Sequence, residues 1–495
     1  MSKSWIMVAA SLLVVGCQDP IEVALESDTE GTGEQSDTGE SESTGAVVEP
    51  SGDDESSEGG SSSDDADEST GEPPLDLPSC ADGTEGCVAI DLLVVVDNSA
   101  TMIDKQAKIA HALPDLVERF EGLEMADGTP ITADVQVLIT TTDWGNPHCD
   151  NPEGYEAAGG YPVNTGCNQR IDQFVSPLDP ASSAESACTD TCPVDVAPSG
   201  GIVRFRIGGD NNVPTVPPLD IDGDGDEDDE VQRALACMAP QGVVGCGYES
   251  QLETMLQSLD PMAAWNNAEA PFVRPDGILA VAIFTDESDC SVKDYSAMDD
   301  ESYFATNPAT GQPERTSALC WNASVECVGP DVNGVMSGCS SIEGPMHDVS
   351  RYTQMFEYLE GTGKDVVMLG VVGVPPVTGH DEAEPYLPTG GGVNALTYRT
   401  WIDAPFPTGD IAQSQFDAGE SAAEMAFRYG NAAPGCHATN ADGELTGFGL
   451  PPVRLREACE SLNGDDGVGC CLESICDDDY SGAMGCLTAL VASKL

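Results

Sequence analysis

The sequence predicts an α/β fold: a doubly wound, mostly parallel sheet with helices on both faces. Long disulfide-bonded insertions enlarge it, and a disordered acidic linker precedes it. Three observations carry this. Residues 88–96, 278–284 and 366–374 are nearly continuous apolar runs, as expected of strands covered on both faces. Segments with helical periodicity lie between them, and strands alternating with helices indicate a parallel or mixed sheet. The connections are long and hold most of the 19 cysteines.

Taken in chain order, the first segment is 1–16. Lys3 is the only basic residue before Lys105, and an apolar stretch follows from Trp5 to Gly16. A bilayer span needs about 20 apolar residues, so this stretch suits a secretory signal instead. Residues 18–79 are rich in Ser, Gly, Thr, Asp and Glu and lack Lys and Arg. Such a segment buries too little apolar surface to offset its ordering entropy. It is expected to be a solvated tether. Residues 80–495 form the folded part. Within it, 135–139 is a shorter buried strand. Residues 201–207 alternate Val203, Phe205 and Ile207 with Arg204 and Arg206, as a half-exposed edge strand does. Ile109, Leu113, Leu116 and Phe120 line one face of a helix over about 103–121. Leu252, Met255, Leu256 and Leu259 fit the i, i+3, i+4, i+7 template. Further helices are expected near 348–360, 452–462 and 479–492. Residues 144–200, 208–230, 287–345 and 375–450 read as loop-like insertions into one core, since loops beyond about 12–15 residues are uncommon in compact domains.

Eighteen Lys and Arg against 87 Asp and Glu give a net charge of −69. Charge of that sign excludes a polyphosphate backbone as a partner and disfavours anionic lipid surfaces. Setting Cys17 aside leaves an even 18 of the 19 cysteines, as in an exported, disulfide-bonded protein. Zinc is the competing use, but there is no CxxC pair and the five histidines are scattered. Sequence neighbours Cys80/Cys87, Cys149/Cys167, Cys188/Cys192, Cys237/Cys246 and Cys327/Cys339 could close local loops; connectivity stays open.

The chemistry gathers where the buried strands end. The first runs into Asp97-Asn98-Ser99-Ala100-Thr101-Met102, the pattern D-x-S-x-[ST] between a strand and a helix. It offers one carboxylate and two hydroxyls, hard oxygen ligands of the kind Mg²⁺ and Mn²⁺ prefer. Asp-x-Ser is also a common helix cap. The strand at 278–284 ends in Thr285-Asp286-Glu287, and 135–139 leads to Asp143. Ligands of open α/β sheets bind outside the carboxyl ends of the strands, so Asp97, Asp143 and Asp286 are expected at one crevice. Asp220, Asp222, Asp224, Asp226 and Asp228 alternate with Ile221, Gly223, Gly225 and Glu227. D-x-D-x-D-G-x-x-D is a calcium-loop spacing, although Val231 stands where an EF-hand needs its bidentate Glu. The expected role is a structural Ca²⁺ that stiffens one insertion. HExxH, GxSxG and GxxxxGK[ST] are absent, so no enzyme is expected.

These residues carry two resemblances. Val14-Val15-Gly16-Cys17 resembles the lipobox of bacterial lipoproteins, with Cys17 lipidated as the mature N-terminus and the sole anchor. Gln18 in place of Asp points to the outer membrane or cell surface. The folded part resembles a von Willebrand factor A (integrin I-like) domain with its metal-ion-dependent adhesion site, in patches over roughly 88–490. It is similar to the lipid-anchored A-domain proteins of myxobacteria, in which phrases like DNSxSM and TDExDC recur. The family motif maps onto Asp97, Ser99 and Thr101, and its acid after the fourth strand onto Asp286. The family's metal-binding Thr has no match in Gly245-Cys246-Gly247-Tyr248-Glu249-Ser250, where Glu249 or Ser250 could substitute. The resemblance implies a short antiparallel edge strand, met by 201–207. It further implies a lipid-anchored envelope protein that binds a protein or matrix ligand through Mg²⁺ or Mn²⁺, one position of which accepts a partner's carboxylate. The alternatives are a metal-dependent hydrolase on the same acidic edge, and a structural envelope protein without a working metal site.

Overall fold

The computed structural model describes Cys80 and residues 86–495, apart from 126, 150, 178, 222, 224, 226, 408–410, 412, 414–415, 417–419 and 465–466. The expected signal peptide, Cys17 and the 18–79 linker lie outside the described residues.

Six strands form one sheet: β1 (Cys87–Val96), β2 (Thr132–Thr141), β3 (Ile202–Arg206), β4 (Ile278–Phe284), β5 (Val366–Val372) and β6 (Cys470–Ser474). Their spatial order is β3-β2-β1-β4-β5-β6. All neighbours are parallel except β2 and β3, which are antiparallel. The strand 135–139 is longer than expected, and the half-polar strand near 201–207 is indeed at an edge. The chain grows outward from β1 to β3, then returns to the other side of β1 with β4. The reversal lies between β1 and β4, where open α/β sheets place their crevice.

Three helices cover each face. The even residues Ile90, Leu92, Val94 and Val96 of β1 pack with α1 (Gln106–Glu121), α2 (Glu230–Met238) and α6 (Ser481–Ala492). The odd residues Leu93 and Val95 pack with α3 (Gln251–Ser258), α4 (Ser350–Gly361) and α5 (Val453–Glu460). The two-residue period of a strand assigns each side chain to its layer. Consecutive residues Cys470 and Cys471 use the same period. Cys470 bonds Cys459 on α5 and Cys471 bonds Cys486 on α6, so β6 is stapled to both helical layers.

All eighteen cysteines from Cys80 onward are disulfide-bonded, which leaves none of these thiols for zinc. Cys80–Cys87 and Cys327–Cys339 join sequence neighbours. The other three neighbour pairs do not form. Cys149 bonds Cys246, Cys167 bonds Cys188, and Cys192 bonds Cys237. Cys188 and Cys192 sit one helical turn apart and face different partners, so chain proximity misleads there.

The insertions hold more structure than loops. Residues 401–450 contain a helix (Ala422–Tyr429) and a hairpin (Cys436–Thr439 with Leu445–Gly449). Trp401, Phe406, Phe416, Tyr429 and Phe448 form their apolar centre. Tyr248, Met298, Leu319 and Met346 make another small cluster, crossed by Cys290–Cys320. Among the described residues no helix is long and apolar enough to cross a membrane.

Candidate metal centre

Register decides what meets at the sheet edge. Val96 of β1 is the Cα partner of both Thr141 of β2 and Phe284 of β4. The three strands therefore end level, and the residues that follow share one rim. The Asp97 N–H still donates to the Phe284 carbonyl (2.8 Å), and the Thr142 N–H to the Val96 carbonyl (3.2 Å).

Asp97, Ser99, Thr101 and Asp286 come together as one hydrogen-bonded chain. Asp97 Oδ1 accepts from the Ser99 N–H at 2.8 Å and Oδ2 from the Thr285 hydroxyl at 2.6 Å. Ser99 Oγ and Thr101 Oγ1 lie 3.0 Å apart, and Thr101 Oγ1 donates to Asp286 Oδ1 at 2.9 Å. Asp97, Ser99 and Asp286 are buried, and Thr101 is half-buried at the rim. The Ser99 side chain does not cap the short helix that follows, whereas Asp97 accepts the Ser99 N–H locally.

Asp143 reaches the same rim but is fully engaged. Its Oδ1 accepts from the Gly145 N–H, and its Oδ2 from the Tyr155 hydroxyl (2.9 Å) and the Cys246 N–H (3.0 Å). Tyr155 also accepts from Asn98 Nδ2, linking Asp143 to the Asp97 loop. The 245–250 loop closes against that loop. The Gly245 N–H donates to the Asn98 carbonyl, and a Cβ on Gly245 would stand 2.2 Å from Asn98 Oδ1. Any larger residue would require the Asn98 amide to shift. Glu249 and Ser250 behave differently. Ser250 turns its hydroxyl to the Cys290 carbonyl. Glu249 turns inward to the Thr142 hydroxyl, and its buried Oε1 has no hydrogen-bond partner among the described residues.

The electrostatics are unbalanced. Burial pushes Asp286 up to about 7, against the pull of Lys105. Burial also raises Asp97, opposed by the hydrogen bonds from Thr285 and Ser99. Glu249 and Glu287 are raised well above the carboxylate range, first by burial and then by the neighbouring carboxylates. Buried carboxylates this close need protons or a cation. Elsewhere the protein solves the same problem with its own bases: buried Asp91 is paired with Arg274 (2.6 Å) and Lys364 (3.0 Å). Buried Asp289 is paired with Arg454 (2.8 Å).

Sequence reasoning passed over Lys105, Thr285 and Glu287. Lys105 is fully buried and lies 3.1 Å from Asp286 Oδ2 and 2.6 Å from Asp104 Oδ1. A signal was available: Lys105 immediately precedes α1, four residues before Ile109 and so in line with the apolar stripe, where a base must find a partner. In the acidic loop, Asp220 accepts from the Gly223 and Gly225 N–H groups and Asp228 from the Ile221 N–H. Asp222, Asp224 and Asp226 lie outside the described residues. The chain matches none of the protein-family models and none of the curated proteins with which it was compared.

Proposed function

We propose that this chain is a lipid-anchored envelope protein whose von Willebrand factor A-like domain binds a protein or matrix ligand through a divalent cation. The observation that carries the reading is the convergence of Asp97, Ser99, Thr101 and Asp286 at the level carboxyl ends of β1 and β4. The strand order β3-β2-β1-β4-β5-β6, with β3 antiparallel, supports the same family. The donor set fits Mg²⁺ or Mn²⁺: all its groups are hard oxygens, two are carboxylates, and the buried Glu249 and Glu287 carboxyls beside them are raised by burial and by neighbouring carboxylates. A cation held there would supply a Lewis-acidic position open to a partner's carboxylate. Asp97 and Asp286 would hold it, with the Ser99 and Thr101 hydroxyls. Thr285 fixes the orientation of Asp97 through its 2.6 Å hydrogen bond. The half-buried Ala100 and Thr101 form the face over which a partner would approach, and the large insertions around it would select that partner.

The N-terminal signal, Cys17 and the tether supply display, and the full pairing of the other cysteines suits an oxidising compartment. The acidic composition leaves the lipid as the membrane contact and excludes nucleic acid. A structural Ca²⁺ at 220–228 belongs to the same reading.

The test is a Mn²⁺ titration of the mature chain, followed by electron paramagnetic resonance. Saturable binding by the wild type and its loss in Asp97→Ala are expected. Equal, negligible binding by both overturns the metal reading. Peptidase or phosphatase activity that tracks the metal would replace adhesion with hydrolysis.

A further inference from the structure

Resting on the reading above, we infer that Lys105 is a built-in counter-ion of this metal site. It holds Asp286 in place when no divalent ion is bound, and it weakens the hold on that ion when one arrives. The Lys105 ammonium group is fully buried and meets three oxygens: Asp104 Oδ1 at 2.6 Å, the Thr101 carbonyl at 3.0 Å and Asp286 Oδ2 at 3.1 Å. The first two are hydrogen bonds, and the third is an ion pair. The other Asp286 oxygen accepts from the Thr101 hydroxyl at 2.9 Å. One carboxylate of the site therefore stands between a fixed lysine and the hydroxyl pair.

The surroundings lock the lysine in. The Leu450 N–H donates to the Asp286 carbonyl at 2.7 Å, and Gly447 lies against Asp104 so closely that a Cβ would come within 2.4 Å of Asp104 Oδ2. The hairpin that ends in Leu445–Gly449 thereby closes over the charge pair. Asp91 makes the contrast. Arg274 takes one of its oxygens and Lys364 the other, leaving a purely structural cluster. Lys105 takes one oxygen of Asp286 and leaves the second to the Thr101 hydroxyl.

Two consequences follow. The metal-free fold does not leave Asp286 without a counter-charge, so loading and unloading need not unfold the protein. Like charges at this range repel, so affinity is set below what the oxygen ligands alone would give. Occupancy then follows the cation concentration outside the cell.

The experiment compares the mature wild type with Lys105→Met, Lys105→Gln and Lys105→Arg. Mn²⁺ binding and thermal unfolding are measured, the latter in EDTA and in saturating Mn²⁺. The two neutral variants are expected to bind Mn²⁺ at least about tenfold more tightly. They should melt below wild type in EDTA and gain more from Mn²⁺ than wild type does. A neutral variant that folds only with Mn²⁺ supports the inference equally. Lys105→Arg, which keeps the charge, should bind no more tightly than wild type. Equal or weaker binding by the neutral variants, with wild type still binding, overturns the role of Lys105 and leaves the metal site standing. The same gain in Lys105→Arg also overturns it. No binding by any of the four chains overturns the metal reading itself.

Discussion

Thr101 and Asp286 stand 185 positions apart in the chain, yet the Thr101 hydroxyl donates to Asp286 Oδ1 at 2.9 Å. This bond joins the loop after β1 to the loop after β4. Thr101→Val keeps the volume and removes the donor. A buried carboxylate oxygen losing its partner costs about 1–3 kcal/mol, to be read as a lower midpoint in urea without a change in slope. Mn²⁺ binding should fall with it. Thr101→Ser keeps the hydroxyl and should retain both properties, which separates the hydroxyl's role from general damage to the loop.

Cys149–Cys246 ties the loop after β2 to the loop that carries Glu249. Asp143 bridges the same two loops through the Cys246 N–H. Replacing both cysteines with Ser should cost about 2–5 kcal/mol. It should also weaken Mn²⁺ binding, because the rim is then held by hydrogen bonds alone. Replacing Cys327 and Cys339, which close a short remote hairpin, should leave Mn²⁺ binding unchanged.

The legible parts of the fold are those where burial on two faces or one face writes a continuous or periodic apolar pattern. Residues 278–284 show this, as does the stripe from Ile109 to Phe120. Strand β6 shows neither pattern. It is five residues long, and its last two, Glu473 and Ser474, are polar yet buried. The His380 ring lies 2.9 Å from Glu473, and the Ser474 hydroxyl donates to the Val374 carbonyl. Those partners are more than 90 positions away, so the strand's polar residues look solvent-facing when read locally. The site behaves alike. Asp97 and Asp286 are legible because each ends an apolar run. Thr285 and Lys105 belong to it through contacts that only the register of β1 against β4 creates. The aromatic residues from Trp401 to Phe448 are spread over a Gly- and Pro-rich stretch, which hides the small core they build.

The Asp91 cluster gives a prediction of the opposite kind. Arg274 Nε bonds Asp91 Oδ1 at 2.6 Å, and Arg274 Nη1 lies 3.0 Å from Asp134. Removing one partner of a buried ion pair costs about 3–5 kcal/mol, since the other charge stays buried. Arg274→Met should therefore lower stability by about that amount in urea. Asp91 lies six residues before Asp97, about 20 Å along an extended strand. The folded fraction of Arg274→Met should then bind Mn²⁺ as wild type does.

Asp477 should make stability depend on pH. Burial pushes its carboxyl up to about 7 from an ordinary 3.8, against the hydrogen bond from the Val377 main chain. Between these values the folded chain holds a proton that the unfolded chain has released. The stabilisation is thus fully present below about pH 4 and is lost as pH rises through about 7. Asp477 is partly exposed, so the effect is muted by solvent. Asp477→Asn removes this titration. The difference between wild type and variant in urea unfolding should shift against the wild type from pH 4 to pH 8, and a flat difference would rule the assignment out.

Glu249 is where two effects of one substitution should run in opposite directions. Its carboxyl is fully buried, one oxygen meets the Thr142 hydroxyl, and the other lacks a hydrogen-bond partner among the described residues. Burial first, then Asp97 and Asp143, raise its pKa well above the usual value. Without metal, this group favours folding only while protonated, and its contribution is lost as pH rises. Glu249→Gln keeps the shape and cannot ionise. In EDTA the variant should become progressively more stable than wild type as pH is raised. In Mn²⁺ the same variant should bind more weakly, by at least about threefold, because a negative charge near the cation has gone. A loop damaged by the substitution would lose both stability and affinity. Greater metal-free stability combined with weaker Mn²⁺ binding, read from urea unfolding in EDTA and a parallel Mn²⁺ titration, is the signature of a carboxylate kept for a cation.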